Sequence, residues 1–105
     1  MILVRDVFHC KFGRGDEMVA LMKQIFDNFA TAESPVKSVR ILTDASGPFF
    51  TIVTETVIES IEAHKRLLEE SFARPEFGQE FGKMMELVDS GHRDYYNIVV
   101  EYSNG

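Results

Sequence analysis

The segment from Phe49 to Val57 constrains this chain more than any other. Read as an extended strand, it puts Phe49, Val53 and Val57 on one side and Phe50, Ile52 and the neighbouring Ile58 on the other. A strand that is apolar on both sides has to be covered on both sides. The whole chain has 105 residues, which suits one domain. A domain of that size buries about 60–68% of its unfolded surface, so one copy has little material left for a second cover. Nine Phe, five Met and three Tyr, with no Trp, predict an aromatic-rich core or an apolar pocket. A second subunit would supply the missing burial.

The rest of the chain fits around that strand. In residues 2–12, Ile2, Val4, Asp6, Phe8, Cys10 and Phe12 share one parity, and Leu3, Arg5, Val7, His9 and Lys11 share the other. This predicts a first strand with one dry face and one mixed face. Gly13-Arg14-Gly15 ends it, and Asp16 is the expected N-cap of a helix running to about Ala30. Met18, Met22, Ile25 and Phe29 give that helix its buried stripe, and Pro35 marks its limit. Val36 to Thr43 reads as a second strand, joined to the third by the turn sequence Asp44-Ala45-Ser46-Gly47-Pro48. Ser60 is placed to cap a second helix that turns Ile61, Leu67, Leu68 and Phe72 inward. Pro75 opens a further helical segment carrying Phe77, Phe81, Met84, Met85 and Val88, with Gly91 as its C-terminal cap. His92 to Tyr102 reads as the last strand.

The order is therefore βαββαβ, with the second helix in two pieces. Right-handed crossovers fold two such halves into one α+β, ferredoxin-like domain, a four-stranded antiparallel sheet with helices on one face. The other face is left bare, with Val7, Val99 and one side of the third strand on it. Monomers rarely expose contiguous apolar patches above roughly a few hundred Å². A homodimer packed sheet against sheet under two-fold symmetry is the economical remedy.

Charge and composition narrow the partners. A net charge of −6 argues against nucleic acid, whose phosphates need a basic footprint. No apolar run approaches the ~20 residues of a membrane span. Arg5 and Asp6 interrupt the opening segment, which is not expected to act as a signal peptide. The single cysteine, Cys10, allows neither an intrachain disulfide nor a cysteine metal cluster. His9 and His92 lack a second ligand at the spacing of zinc sites, so no metal is expected. A reducing, cytoplasmic location is the expectation.

Two stretches carry a resemblance. VFHCKFGRGDEMVALMKQIF, a strand ending in an apolar residue, Lys, any residue and Gly before an amphipathic helix, resembles the opening of NIPSNAP-type proteins. ESIEAHKRLLEESFARPEFGQEF resembles the helix, kink and Pro-Glu-Phe helix of the dimeric α/β-barrel superfamily. That superfamily includes antibiotic-biosynthesis monooxygenases, haem-degrading monooxygenases and NIPSNAP-type proteins. The resemblance implies a dimeric α/β barrel that keeps its ligands in the cleft between helices and sheet. The haem degraders carry an Asn on the first strand, a Trp on the second main helix and a haem-ligating His beyond it. Counted from the shared glycine and the Phe of the later helix, these positions hold Asp6, Leu67 and Phe81. No imidazole stands at the ligand position, so no haem and no other cofactor is expected.

Within this frame Asp6 is the oddest residue, a carboxylate on the dry side of the first strand. Burying it unpaired would cost several kcal/mol, so it needs an arginine, solvent or a ligand. In the functional reading it is a general base or a substrate hydrogen-bond acceptor. His64 borders the buried stripe of its helix, where a neutral imidazole could shuttle a proton. In the bland reading it is a boundary histidine bonded to a carbonyl. Even parity facing the helices would bring Asp6 and His64 to one shared cavity; the opposite parity would promote Arg5, His9 and Arg40. Arg40, Tyr96 and Phe8 are the expected substrate-binding groups, though Arg40 also suits a dimer salt bridge and Tyr96 a core tyrosine. Cys10 reads as a small core residue.

Three functions fit these residues. The first is a NIPSNAP-like homodimer with a small-molecule cleft and unassigned biochemistry. The second is a cofactor-independent monooxygenase or isomerase acting on a small apolar or aromatic molecule, with Asp6 or His64 as its base. The third is a structural or accessory dimer whose cleft is filled by side chains. A cleft of roughly 300 Å³ or more beside Asp6 and His64 favours the first two, and a filled one the third.

Overall fold

A computed structural model describes residues 1–29 and 33–104. The elements are β1 (Ile2–Cys10), α1 (Gly15–Asp27), β2 (Val36–Thr43), β3 (Thr51–Ile58), α2 (Ile61–Phe72), α3 (Pro75–Leu87) and β4 (Val88–Asn97). All strand pairs are antiparallel, in the order β2-β3-β1-β4. The helices pack on one face, the ferredoxin-like arrangement expected from the element order. No helix of the described residues is long and apolar enough to cross a membrane.

The pleat assigns every strand residue to a face. Ile2, Val4, Asp6, Phe8 and Cys10 of β1 look toward the helices, and β3 sets Ile58, Thr56, Thr54 and Ile52 opposite the first four. Leu3, Arg5, Val7 and His9 take the other face, opposite Val57, Glu55, Val53 and Thr51. Two apolar clusters hold the helices down. One gathers Met18, Leu21, Met22 and Ile25 of α1 with Phe77 and Leu87 of α3 over Cys10 and Ile52. The smaller one sets Ala63 of α2 on Ile2, Val4 and Ile58. Met18 and Ile58 are both 0% exposed, and each such side chain stabilises the fold by roughly 1.5–3 kcal/mol.

Several local expectations are corrected. Arg14, not Asp16, stands at the N-cap of α1 and makes no side-chain cap; its guanidinium is held instead by Glu17, at 2.6 and 2.9 Å. The helix starts at Gly15, where the chain passes close to Phe50: a Cβ on Gly15 would lie 3.0 Å from its ring. The helix ends at Asp27, and Ala30, to which it was expected to run, lies outside the described residues. Phe49 and Phe50 belong to the turn before β3, where Phe50 has φ +61°. Phe49 is 73% exposed, so the two-sided bulk of β3 reduces to Val53 and Val57 on one face and Ile52 and Ile58 on the other.

The α3–β4 junction also differs. Val88 leaves the helix for the strand directly, so Gly91 is not a helix cap but a strand residue opposite Phe8. Its missing Cβ would lie 2.8 Å from the Val7 carbonyl oxygen, beside the register shift at His9/Cys10. The strand stops at Asn97, five residues short of Tyr102, with Asn97 paired to Ile2 and the Ile98 N–H donating to the Met1 carbonyl at 3.2 Å. Val99, Val100 and Tyr102 are exposed beyond it, so Val99 does not lie on the bare sheet face.

Candidate functional site

Ser60 sets the angle of α2: its Oγ accepts from the Ala63 N–H at 3.0 Å. That register turns Ala63, His64 and Ser71 into the interior, with Leu67 and Leu68 half-buried, while Ile61 and Phe72 lie outward. Between α2 and the sheet, where the two apolar clusters meet, a cavity remains. Its floor is Asp6, Phe8, Thr54, Thr56 and Arg93, and its walls are largely Met, Ile, Leu and Phe side chains of the three helices. His64 enters from α2. Asp6 and His64 thus share one cavity, as the even-parity reading of β1 requires. The volume is about 90 Å³, short of the roughly 300 Å³ expected of a ligand cleft, yet the space is not filled by side chains. It holds a few waters or a compact group of several heavy atoms.

Asp6 is not free. Arg93, directly opposite it on β4, donates to both carboxylate oxygens, Nε to Oδ1 at 2.5 Å and Nη2 to Oδ2 at 3.3 Å. Burial works against the charge of Arg93, and the Asp6 carboxylate with the Tyr95 hydroxyl outweighs it, holding the guanidinium above its ordinary value. His64 Nδ1 lies 3.1 Å from the Tyr95 hydroxyl, with the rings edge-to-face and their centroids 5.5 Å apart. Burial pushes the His64 imidazole below its ordinary range and the charge of Arg93 adds to that, against an opposing pull from Asp6. The ring is therefore neutral at neutral pH.

The other expected site residues separate. Phe8 lines the cavity. Arg40 and Tyr96 do not: Arg40 pairs across with Glu55 and Tyr96 with Leu3, so both lie on the opposite face of the sheet. There Arg40 and Arg5 both bind Glu55, Arg5 through Nη2 at 2.7 Å, and Arg5 sits 5.4 Å from the centre of the Tyr96 ring. Burial pushes the Glu55 carboxyl up, but the hydrogen bonds and charges of the two arginines outweigh it and hold it below the usual carboxylate range. Burial, with Asp89, pushes the Cys10 thiol up, which keeps it an unreactive core residue. Phe81, at the position of the haem ligand in the resembling family, is half-buried and stacks edge-on against Phe72. Among the described residues no group of three His, Cys, Asp or Glu side chains could hold a metal ion.

Sequence reasoning missed Arg93, Tyr95, Thr54 and Thr56. The threonines had a signal: they interrupt the Ile52/Ile58 parity of β3 with two polar residues, which the structure buries to 1% and 7% exposure. Arg93 and Tyr95 had none, because their positions depend on how β4 registers against β1.

No family model matches the chain, and no curated protein matches it. Solved structures do. A NIPSNAP domain protein from Burkholderia xenovorans aligns with a TM-score of 0.78 at 11% identity, over 99% of this chain and 100% of its own. A Deinococcus radiodurans protein provisionally described as an antibiotic biosynthesis monooxygenase aligns at 0.74 and 16% identity, over 99% and 97%. SnoaB, a cofactor-independent oxygenase from Streptomyces nogalater, aligns at 0.72 and 15% identity, over 97% and 94%. This chain has the ferredoxin-like fold that NIPSNAP domain proteins and antibiotic biosynthesis monooxygenases share.

Proposed function

We propose that this chain is a cytoplasmic, NIPSNAP-like homodimer that binds a small, mostly apolar molecule in the cleft between its helices and its sheet. The observation that carries this reading is the convergence of Asp6, Arg93 and His64, with Thr54, Thr56 and Ser71, on one cavity whose remaining walls are apolar. Few polar groups placed in an apolar concavity are the usual make-up of a ligand site. The volume limits the enclosed part of the ligand to several heavy atoms, with any remainder toward the open side. Homodimerisation is supported by the uncovered sheet face, where Leu3, Val7, Val53 and Val57 form an apolar patch around the Arg5–Glu55–Arg40 cluster.

A second reading is cofactor-independent oxygenation or isomerisation of that molecule. It is favoured by a neutral, buried imidazole beside an ion pair, and SnoaB is an oxygenase of that kind on the same fold. With Asp6 committed to Arg93, His64 is the group left to act on a ligand.

Binding can be tested by titrating the ¹⁵N-labelled protein with cyclopentanone and similar small fragments. Saturable shifts are expected at Asp6, His64 and Arg93, and Leu68→Trp, which fills the cavity, should abolish them. Shifts confined to the uncovered sheet face, or no saturable shift for any fragment, would favour a purely structural dimer.

A further inference from the structure

The uncovered sheet face is ordered in rows. Strand register sets Arg40 of β2 beside Glu55 of β3, Glu55 beside Arg5 of β1, and Arg5 beside Asp94 of β4. This row crosses the whole sheet with alternating sign and no net charge. Two residues along the strands in one direction lies a row of Val57, Leu3 and Tyr96, and in the other a row of Leu42, Val53 and Val7. The middle of the charged row is matched within the chain, where the buried Glu55 accepts from both Arg5 and Arg40. The ends are not. The Arg40 side chain stays mostly exposed, and among the described residues the half-exposed Asp94 has only the His92 imidazole as an ion-pair partner, at 3.5 Å. Arg40 and Asp94 stand on the two outer strands, three strand spacings or roughly 14 Å apart, too far to meet within one chain.

We infer that two copies of the chain meet on this face about a two-fold axis parallel to the strands, midway between β3 and β1, so that Arg40 lies against Asp94 of the partner subunit and Glu55 against Arg5 of the partner subunit. Two sheets related face to face by a two-fold need that axis in the plane between them. An axis parallel to the strands leaves every row at its own height, so apolar rows lie on apolar rows. Midway between β3 and β1 it exchanges β2 with β4 and β3 with β1, so each charge meets its opposite. Shifted onto β1, the same axis would set Arg5 on its own copy and Glu55 on an aspartate. An axis across the strands would keep each strand over its own copy. It would then either pair like charges along the row or slide the charged row onto an apolar one. Both alternatives bury like or unpaired charges, which is strongly unfavourable. Aligned sheets cross at about 30°, a tilt that displaces the outer strands by a few Å, within the reach of an arginine.

This arrangement rests on the homodimer of the proposed function, and the test separates the two. In sedimentation of the full-length chain, Arg40→Glu and Asp94→Arg should each weaken association at least about tenfold, because each opposes like charges twice. The double variant should recover most of that loss. Repulsions that a reversal creates along the row of one chain are present in monomer and dimer alike, so the recovery reports contact between copies. Cross-linking gives a second readout that reverses no charge. In a Cys10→Ala background, a short bismaleimide should join Arg40→Cys chains to Asp94→Cys chains when the two are mixed, and should join neither kind to itself. A double variant as weak as either single one overturns the arrangement and leaves the dimer standing, as does cross-linking of Arg40→Cys chains to one another. An unmodified chain that sediments as a monomer at micromolar concentration removes the dimer and the arrangement together.

Discussion

His64 is 5% exposed, and an imidazole that deep in an apolar cleft loses hydration in its charged form. Its proton affinity in the folded chain is below the ordinary value, from burial first and Arg93 second. Between its ordinary value and the lowered one, the unfolded chain binds a proton that the folded chain refuses. The stability His64 contributes is therefore present above its ordinary pKa and lost as pH falls through the folded value. The urea midpoint should drop between pH 7.5 and 5.0, and His64→Gln should flatten that drop. An identical drop in the variant would assign it to other groups. Glu55 belongs at this scale too, since the two arginines keep its carboxylate ionised where burial alone would not. Its titration falls at lower pH and does not enter this window.

At the scale of elements, the contact of β4 with β1 depends on one glycine. Gly91 leaves room for the Val7 carbonyl, which a Cβ would approach to 2.8 Å, far inside contact distance and against backbone that no rotamer can move. Gly91→Ala should destabilise the fold by about 1–3 kcal/mol, as overpacking does elsewhere, read from urea unfolding. Gly78, in the interior of α3, has nothing within 4 Å of its would-be Cβ. Gly78→Ala should leave stability unchanged or raise it by about 0.4–1 kcal/mol. Equal effects at the two glycines would mean that β4 does not need the close approach. The same junction explains why β4 starts three residues before Gly91: a glycine read locally as a helix stop is a strand residue once β1 lies against it.

The whole molecule has one covered and one uncovered sheet face. On the uncovered face Val7 sits between Val53 and His92 in the strand register, at the centre of the patch. We expect light scattering at micromolar concentration to give twice the 12.0 kDa chain mass. Val7→Lys, which leaves the helix-covered core untouched, should place an unpaired charge in a dry interface and weaken association by more than about a hundredfold. A wild-type mass near that of one chain would remove the dimer. A dimer unaffected by the substitution would move the interface to another surface.

Element order, and which residues of a strand share a face, were legible in the residues themselves, because both are local. Period two in β1 grouped Asp6 with Phe8, spacing along α2 put His64 on the edge of its buried stripe, and Ser60 announced the start of that helix. The sequence leaves open which side of β1 meets the helices, and only the packed structure brings Asp6 and His64 to one cavity. Local pattern misled where a residue type serves two purposes: Asp16 as a cap, Gly91 as a helix stop, Phe49 and Phe50 as strand. What fills the site depended on pairings between distant segments. Arg93 reaches Asp6 across 87 positions, and Tyr95 reaches His64 across 31. Arg40 and Tyr96 alternate as regularly as any strand residue, yet their face is decided by register against β3 and β1. A strand's own sequence determines which residues travel together, but only its neighbour in the sheet determines which side they reach.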